Sequence, residues 1–191
     1  MCRTFTPTSI SPTRSWKSWV EDPSIIENEC SEVVILGIDP GSVVTGYGVI
    51  EEVRGGLKER GHGEIKPGRG APLSVCLAAV YARLNEVVKI AQPEAIAIEN
   101  IFYGKNVRSL IRQGHVRGVA ILVGSHNLVP TFEYTPLEVK KAVVGYGRAE
   151  KGQVQMMVKA ILGLSSLPPA DAADALAVAI CHAHFAKAVS V

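Results

Sequence analysis

The segment Ala170-Asp171-Ala172-Ala173-Asp174-Ala175-Leu176-Ala177-Val178-Ala179-Ile180 constrains this chain more than any other. At helical spacing it is apolar almost all round, and a helix of that kind has no face to give to water, so it belongs in the interior. Two acids in such a helix need a reason. Asp171 and Asp174 stand at i and i+3, neighbours on one face roughly 5–6 Å apart at Cβ, where like charges repel by a few tenths of a kcal/mol. The first turn after Pro168-Pro169, where the helix dipole favours anions, accounts for Asp171. It accounts less well for Asp174, a turn further in.

Two more acids sit where charge is costly. Val33-Val34-Ile35-Leu36-Gly37-Ile38-Asp39 is a short apolar run stopped by Pro40-Gly41, which reads as a buried strand ending in a turn. Unpaired, the Asp39 carboxylate would cost several kcal/mol there or take up a proton, although Asp-Pro-Gly is also favourable turn chemistry. Glu99 ends the run Ala95-Ile96-Ala97-Ile98 in the same way, at the strand edge where α/β sheets bind ligands. Four acids from two strand ends and one helix face are what a pair of divalent cations requires, because hard ions such as Mg²⁺ prefer carboxylate oxygens. Two metals about 3.5–4 Å apart activate a water and stabilise the leaving oxygen of a phosphodiester in one in-line displacement.

The remaining pattern supplies a scaffold for such a site. Strand-like runs Thr45 to Val53 and Leu57 to Lys66 follow Val33–Asp39 across short Gly-rich breaks, predicting an antiparallel meander. The period then changes to a helical one over Leu73 to Ala91, ended by Pro93, and Ala95 to Glu99 reads as a fourth strand. Val107 to Asn127 reads as a helix, Val129 to Tyr134 as a fifth strand, and Pro136 to Val144, Lys151 to Leu162 and Pro169 to Lys187 as helices. The expected fold class is therefore α/β, with a five-stranded mixed sheet of three antiparallel strands and then two parallel ones, flanked by helices.

Composition agrees with one such domain and excludes several other classes. With 191 residues, 47% apolar and 20% charged, the chain holds a sizeable core and is too short for most two-domain cofactor enzymes. Its longest apolar stretches are broken by Gly124 to Asn127 or by Asp171 and Asp174, so no membrane span is expected. Cys2, Cys30, Cys76 and Cys181 lie too far apart for zinc spacing and read as reduced thiols of a cytosol-like compartment. His62, His115, His126, His182 and His184 receive no metal role; an i, i+2 pair such as His182 and His184 points to different sides of a helix.

Charge is unevenly spread. Residues 1–32 carry three basic and five acidic groups, a net of −2, so the rest must carry +4 to give the total of +2. Between 102 and 159 nine Lys and Arg (Lys105, Arg108, Arg112, Arg117, Lys140, Lys141, Arg148, Lys151, Lys159) face three Glu, an excess suited to a polyanion or to solvated helix faces. Basic groups beside a two-metal centre neutralise substrate phosphates and the charge of the transition state.

The ordered motifs Ile35-Leu36-Gly37-Ile38-Asp39-Pro40-Gly41-Ser42, Thr45-Gly46-Tyr47-Gly48, Ala97-Ile98-Glu99-Asn100-Ile101-Phe102-Tyr103-Gly104-Lys105-Asn106, Arg117-Gly118-Val119-Ala120, Val143-Val144-Gly145-Tyr146-Gly147 with Glu150-Lys151-Gly152-Gln153, and Ala170-Asp171-Ala172-Ala173-Asp174 closely resemble the RuvC family. Members are Holliday-junction resolvases, endonucleases of the RNase H-like fold, and the match runs from about Val33 to Phe185. The resemblance implies a homodimer that cuts two like strands of a four-way DNA junction at symmetry-related positions. Products with 5′-phosphate and 3′-hydroxyl ends follow, with two Mg²⁺ ions per site and Mn²⁺ able to replace them. By position it implies Asp39, Glu99, Asp171 and Asp174 as catalytic and metal-binding acids and Lys140 and Lys151 as active-site lysines. Lys141 adjoins Lys140, and only the spacing from Glu150-Lys151 selects between them. Phe102 matches an aromatic that stacks on a base near the junction centre. With it, Lys105, Arg108, Lys140, Lys141, Arg148 and Lys151 are the expected DNA contacts. The family's dimer contact falls largely in the helix Val107 to Asn127, and a RuvAB-type branch-migration complex is the implied partner.

Residues 1–32 lie outside the family pattern and read as a flexible extension, leaving 33–191 as the nuclease domain. The first twenty residues lack acids and carry three basic residues and several hydroxyls, so a cytoplasmic protein and an organellar one with a transit peptide are both open, as is a misassigned start. Two other functions share the scaffold. An actin-like or sugar-kinase ATPase would need a second domain and a second Gly-rich phosphate loop; a non-catalytic junction-binding protein would not need all four acids and both lysines.

Overall fold

The computed structural model of the chain describes residues 33–68, 70–101 and 106–189, the last three by backbone alone. The expected extension over 1–32, with Cys2 and Cys30, lies outside the described residues, as do Phe102 and Lys105. In order along the chain come β1 (Val33–Asp39), β2 (Thr45–Val53), β3 (Gly56–Ile65), α1 (Leu73–Ala91), β4 (Ala95–Glu99), α2 (Val107–His126), β5 (Thr131–Tyr134), α3 (Pro136–Val144), α4 (Lys151–Leu162) and α5 (Ala170–Val189). The sheet order is β3-β2-β1-β4-β5. β2 is antiparallel to both β1 and β3, whereas β4 is parallel to both β1 and β5. This is the expected mixed sheet, three antiparallel strands and then two parallel.

Element ends depart from expectation where a proline or a missing partner intervenes. β5 starts at Thr131 rather than Val129, because Pro130 has no N–H to give to a ladder and the Val129 N–H closes the end of α2 on the Gly124 carbonyl at 2.9 Å. β3 stops at Ile65, which pairs with the first residue of β2, so Lys66 has nothing opposite it and precedes Pro67. It begins one residue early, at Gly56, which pairs with Val53. α2 closes at His126 rather than Asn127, and α5 runs from Ala170 to Val189 rather than from Pro169 to Lys187.

The pleat sends alternate residues of each strand to opposite faces. Val34, Leu36, Ile38, Tyr47, Val49, Ile96 and Ile98 point to one core, covered by α1 and α2 through Val80, Leu84, Val116 and Val123. Ile35, Ile50 and Ala97 point to the other, shared with α3, α4 and α5. Asp39 and Glu99, in phase with Ile35 and Ala97, therefore end their strands on the α5 face.

α5 is the buried helix that its composition demands: Ala175 through Cys181 are each no more than 1% exposed. It reaches the sheet because the strands beneath it lack side chains. Gly37 pairs with Gly48 across β1 and β2, and Gly46 pairs with Asp39. A Cβ on Gly37 would stand 2.1 Å from the Ala175 carbonyl oxygen, one on Gly46 1.9 Å from the Asp171 carbonyl oxygen, and one on Gly48 2.6 Å from the Leu176 side chain. Real Cβ atoms do not approach so closely, so these glycines fix how near the helix backbone lies to β1 and β2.

Candidate metal centre

Docked this way, the first turn of α5 meets the end of β1. One carboxylate oxygen from each of Asp39, Asp171 and Asp174 lies within 4.8 Å of the other two. Three partly buried acids so close repel unless a cation joins them, and oxygen donors at this spacing suit a hard divalent ion. Burial and the charge of Asp174 push Asp39 up to about 6. Glu99, ending the neighbouring strand, is raised to about 8 by burial and then by the charges of Asp39 and Asp174. The two carboxyls share a hydrogen bond, in which the protonated Glu99 donates to the Asp39 carboxylate. Without a cation the site thus holds a proton between its two strand-end acids. Glu99 lies outside the group of three oxygens but is coupled to it.

Lys151 supplies the nearest positive charge. Its Nζ stands 2.7 Å from Asp174 Oδ2 and 3.7 Å from Asp171 Oδ1. Burial lowers its pKa, but the bond to Asp174 and the charges of Asp174, Asp171 and Asp39 outweigh that and leave it raised. Asp174 is itself raised by burial, although Lys151 and the charge of Lys140 pull it back. Local sequence sets these positions. Lys151 opens α4, where the Glu150 N–H donates to Gln153 Oε1 at 2.9 Å, and Gln155 Nε2 ties α4 to the Pro168 carbonyl just before α5 at 2.6 Å. α3 starts in a capping box, with the Thr135 N–H donating to Glu138 Oε2 at 2.7 Å and the Glu138 N–H to Thr135 Oγ1 at 3.3 Å. Its Val139 and Val143 are buried, so Lys140 is half-buried with its charge felt at Asp174, while Lys141 is exposed. That geometry favours Lys140 of the two.

Of the other expected DNA contacts, Arg108 and Arg148 are exposed, on α2 and on the loop before α4. Sequence reasoning did not find Glu64 and Lys66. Glu64 pairs with Gly46 on the α5 face, and Lys66 Nζ bonds its Oε2 at 2.5 Å while sensing the charge of Asp171. Only the β2–β3 register brings this pair to the rim of the acids; the sequence signal was no more than an acid and a lysine before a proline. The histidines all have other partners: His182 is buried against the Tyr134 hydroxyl at 2.7 Å, His62 bonds Glu59, His126 bonds Tyr81, and His115 and His184 bond backbone carbonyls. Cys76 and Cys181 are free and buried. No helix among the described residues is long and apolar enough to cross a membrane.

Known proteins share both the sequence and the fold. The family model described as crossover junction endodeoxyribonuclease RuvC matches residues 35–182. The crossover junction endodeoxyribonuclease RuvC of Desulforamulus reducens is 47% identical over 156 residues, covering 81% of this chain and 96% of that protein. The protein of the same name from Syntrophotalea carbinolica is 50% identical over 150 residues, covering 78% and 93%. Among solved structures, Thermus thermophilus RuvC in complex with a Holliday junction substrate superposes with a TM-score of 0.77 at 34% identity, covering 83% of this chain and 97% of that one. The yeast mitochondrial Holliday junction resolvase Ydc2 has the same fold, with a TM-score of 0.61 at 12% identity over 82% of this chain and 80% of its own. With the family model spanning the sheet and every helix that carries an acid or a lysine of the site, the chain belongs to the crossover junction endodeoxyribonuclease RuvC family of nucleases.

Proposed function

We propose that this chain resolves Holliday junctions: as a homodimer it cuts two like strands of a four-way DNA junction symmetrically, leaving 5′-phosphate and 3′-hydroxyl ends, in recombination and repair. The observation that carries this reading is the set of three carboxylate oxygens from β1 and α5 within 4.8 Å of one another in a chain of this nuclease family. The donors fit hard divalent ions, being all oxygen, partly buried and short of countercharge. Asp39, Asp171 and Asp174 would hold the ions, and Glu99 joins them when its proton leaves. Bound there, two Mg²⁺, or Mn²⁺ in their place, would supply Lewis acidity toward the scissile phosphate and make a water more acidic.

The chain's own groups do the rest. Lys151, bridging Asp174 and Asp171, holds their carboxylates in place and offers a positive charge beside the phosphate; Lys140 adds a second from α3. Arg108, Lys141 and Arg148, all exposed, and Lys105 bind backbone phosphates, and Phe102 stacks on an unpaired base. The nuclease domain comprises residues 33–191, with 1–32 an extension to it. A cytoplasmic site of action and a RuvAB-type branch-migration partner complete the proposal.

The test incubates the protein with a mobile four-way junction, a matched linear duplex and a Y-fork, in Mg²⁺ or EDTA, with products resolved on a denaturing gel. Paired symmetric nicks confined to the junction and dependent on Mg²⁺ are expected, and Asp39→Asn is expected to bind the junction without cutting it. Equal cutting of all three substrates, or binding without cutting in every metal, overturns the reading.

A further inference from the structure

The turn between β1 and β2, the segment after β3 and the facing sides of α1 and α2 enclose an open cavity of about 200 Å³. Gly41, Ser42, Thr45, Gly68, Gly70 and Arg112 line it. It opens at the same sheet edge as the carboxylates but on the other face. Gly41 follows Asp39 by two residues, and Thr45 precedes Gly46, the cross-strand partner of Asp39. A strand of DNA laid over that edge with one phosphate at the acids would pass its neighbours across the β1–β2 turn.

The wall of the cavity suits a phosphate. Gly68 and Gly70 have φ of 92° and 77°, which side-chain-bearing residues rarely adopt, and a Cβ on either would meet nothing within 4 Å. Backbone there is bare and open to a close-approaching ligand. Ser42 and Thr45 contribute hydroxyl-bearing side chains. The cation is the decisive feature. Arg112 Nη2 donates to Cys76 Sγ at 3.1 Å, and that thiol donates in turn to the Ala71 carbonyl at 3.6 Å, so the group bonded to the guanidinium is neutral. Arg60, Arg83 and Arg117 are each paired with a glutamate. Half-buried Arg112 has no carboxylate partner among the described residues, and a partly desolvated cation without one favours an incoming anion.

We propose that this cavity seats an uncleaved backbone phosphate of the substrate strand, held by Arg112. The assignment rests on the nuclease reading above and extends it to a residue outside the acid and lysine set. Arg112 positions the strand so that the neighbouring phosphate meets the acids.

The experiment measures fluorescence anisotropy of a labelled four-way junction in EDTA across a series of salt concentrations, for the full chain, Arg112→Gln and Arg112→Lys. For each DNA phosphate that the protein no longer neutralises, the slope of log affinity against log salt is expected to fall by about 0.9. Arg112→Gln should show that fall together with about a 5–10-fold loss of affinity at moderate salt, the range expected when one charge-assisted hydrogen bond to a phosphate is removed. Arg112→Lys, which keeps the charge but not the fork, should restore the slope while recovering only part of the affinity. Thermal unfolding of each variant accompanies the titration. An Arg112→Gln protein that unfolds at the wild-type temperature with an unchanged salt slope overturns the proposal, and so does a weaker affinity with an unchanged slope. A wild-type chain that does not bind the junction at all overturns the nuclease reading first, an outcome read without any variant.

Discussion

Gly46→Ala is the sharpest test of how the carboxylates are spaced. Its methyl would stand 1.9 Å from the Asp171 carbonyl oxygen and 2.5 Å from the Asp171 carbonyl carbon, both backbone atoms of the helix that carries two of the acids. Ordinary carbon–oxygen contact needs roughly 3.3 Å, so the first turn of α5 must retreat by more than about 1 Å relative to β1 and β2. Gly46 does not have the positive φ that resists alanine, and in a strand alanine would otherwise gain about 0.5–1 kcal/mol over glycine. The damage is therefore all overpacking, about 1–3 kcal/mol. In a domain of this size that lowers the unfolding temperature by roughly 2–12 °C. Function should suffer more than stability. Asp171 and Asp174 would move away from Asp39 by several times the ~0.2 Å tolerance of a metal–ligand distance, and a misplacement of about 1 Å at a reacting centre costs about 10²-fold. Calorimetry and single-turnover junction cleavage in Mg²⁺ read the two effects. Gly61→Ala, on the neighbouring strand with nothing within 4 Å of the new methyl, is the matched control: it should show the alanine gain of about 0.5–1 kcal/mol and leave cleavage unchanged. If Gly46→Ala cleaves within about threefold of wild type, backbone contact between α5 and the sheet does not set the distances between the acids.

In EDTA, stability should fall as pH rises. Asp39 and Glu99 have folded pKa values of about 6 and about 8 against ordinary values of 3.8 and 4.5, so the folded chain holds more protons than the unfolded one across that interval, and the stabilisation present at about pH 4 is lost through pH 6 and then 8. A melting temperature that stays flat from pH 5 to about 8.5 in EDTA contradicts this, as does one that falls equally with Mg²⁺ present, because a bound cation replaces the proton. Lys151→Ala should leave stability within about 1 kcal/mol, the ion pair with Asp174 being half-exposed, and should slow cleavage at saturating junction by about 10²-fold or more. A variant that cleaves at the wild-type rate removes Lys151 from the chemistry. Asp39→Asn should raise the melting temperature in EDTA by relieving repulsion from Asp174 while abolishing cleavage; a lower melting temperature would mean that Asp39 serves the fold as a turn residue.

The acids were legible in the sequence because each is out of place: two end apolar strands and two interrupt an apolar helix. β1, β2, α1, β4, α3 and α4 were legible because Gly or Pro punctuates them and their period is clean. β5 was misjudged at its start because Val129 looks like a strand residue while its N–H closes α2. Sequence spacing alone preferred Lys140 to Lys141, and the burial of Val139 and Val143 supplies a physical reason for that preference. Glu64, Lys66 and the cavity at Arg112 were out of reach, since they depend on register between strands and on helices meeting far from their places in the chain. The signal for the α5 seat was present yet unused: Gly46 and Gly48 alternate on one face of β2, opposite Asp171, Ala172 and Leu176, and Gly37 on β1 lies opposite Ala175 and Ala179.

The seat of α5 on bare glycine backbone also governs when the chain becomes dangerous to DNA. Asp39 and Glu99 leave the ribosome long before Asp171 and Asp174, which follow Asp39 by about 130 residues. Until α5 is made and docks, β1 and β2 present an uncovered glycine groove, and Asp39 and Glu99 lack the two helix acids that complete the cluster. Domains generally fold as units. A chain cut short before α5 is therefore unarmed, and its cutting power arrives in a single late step, once α5 has emerged and docked.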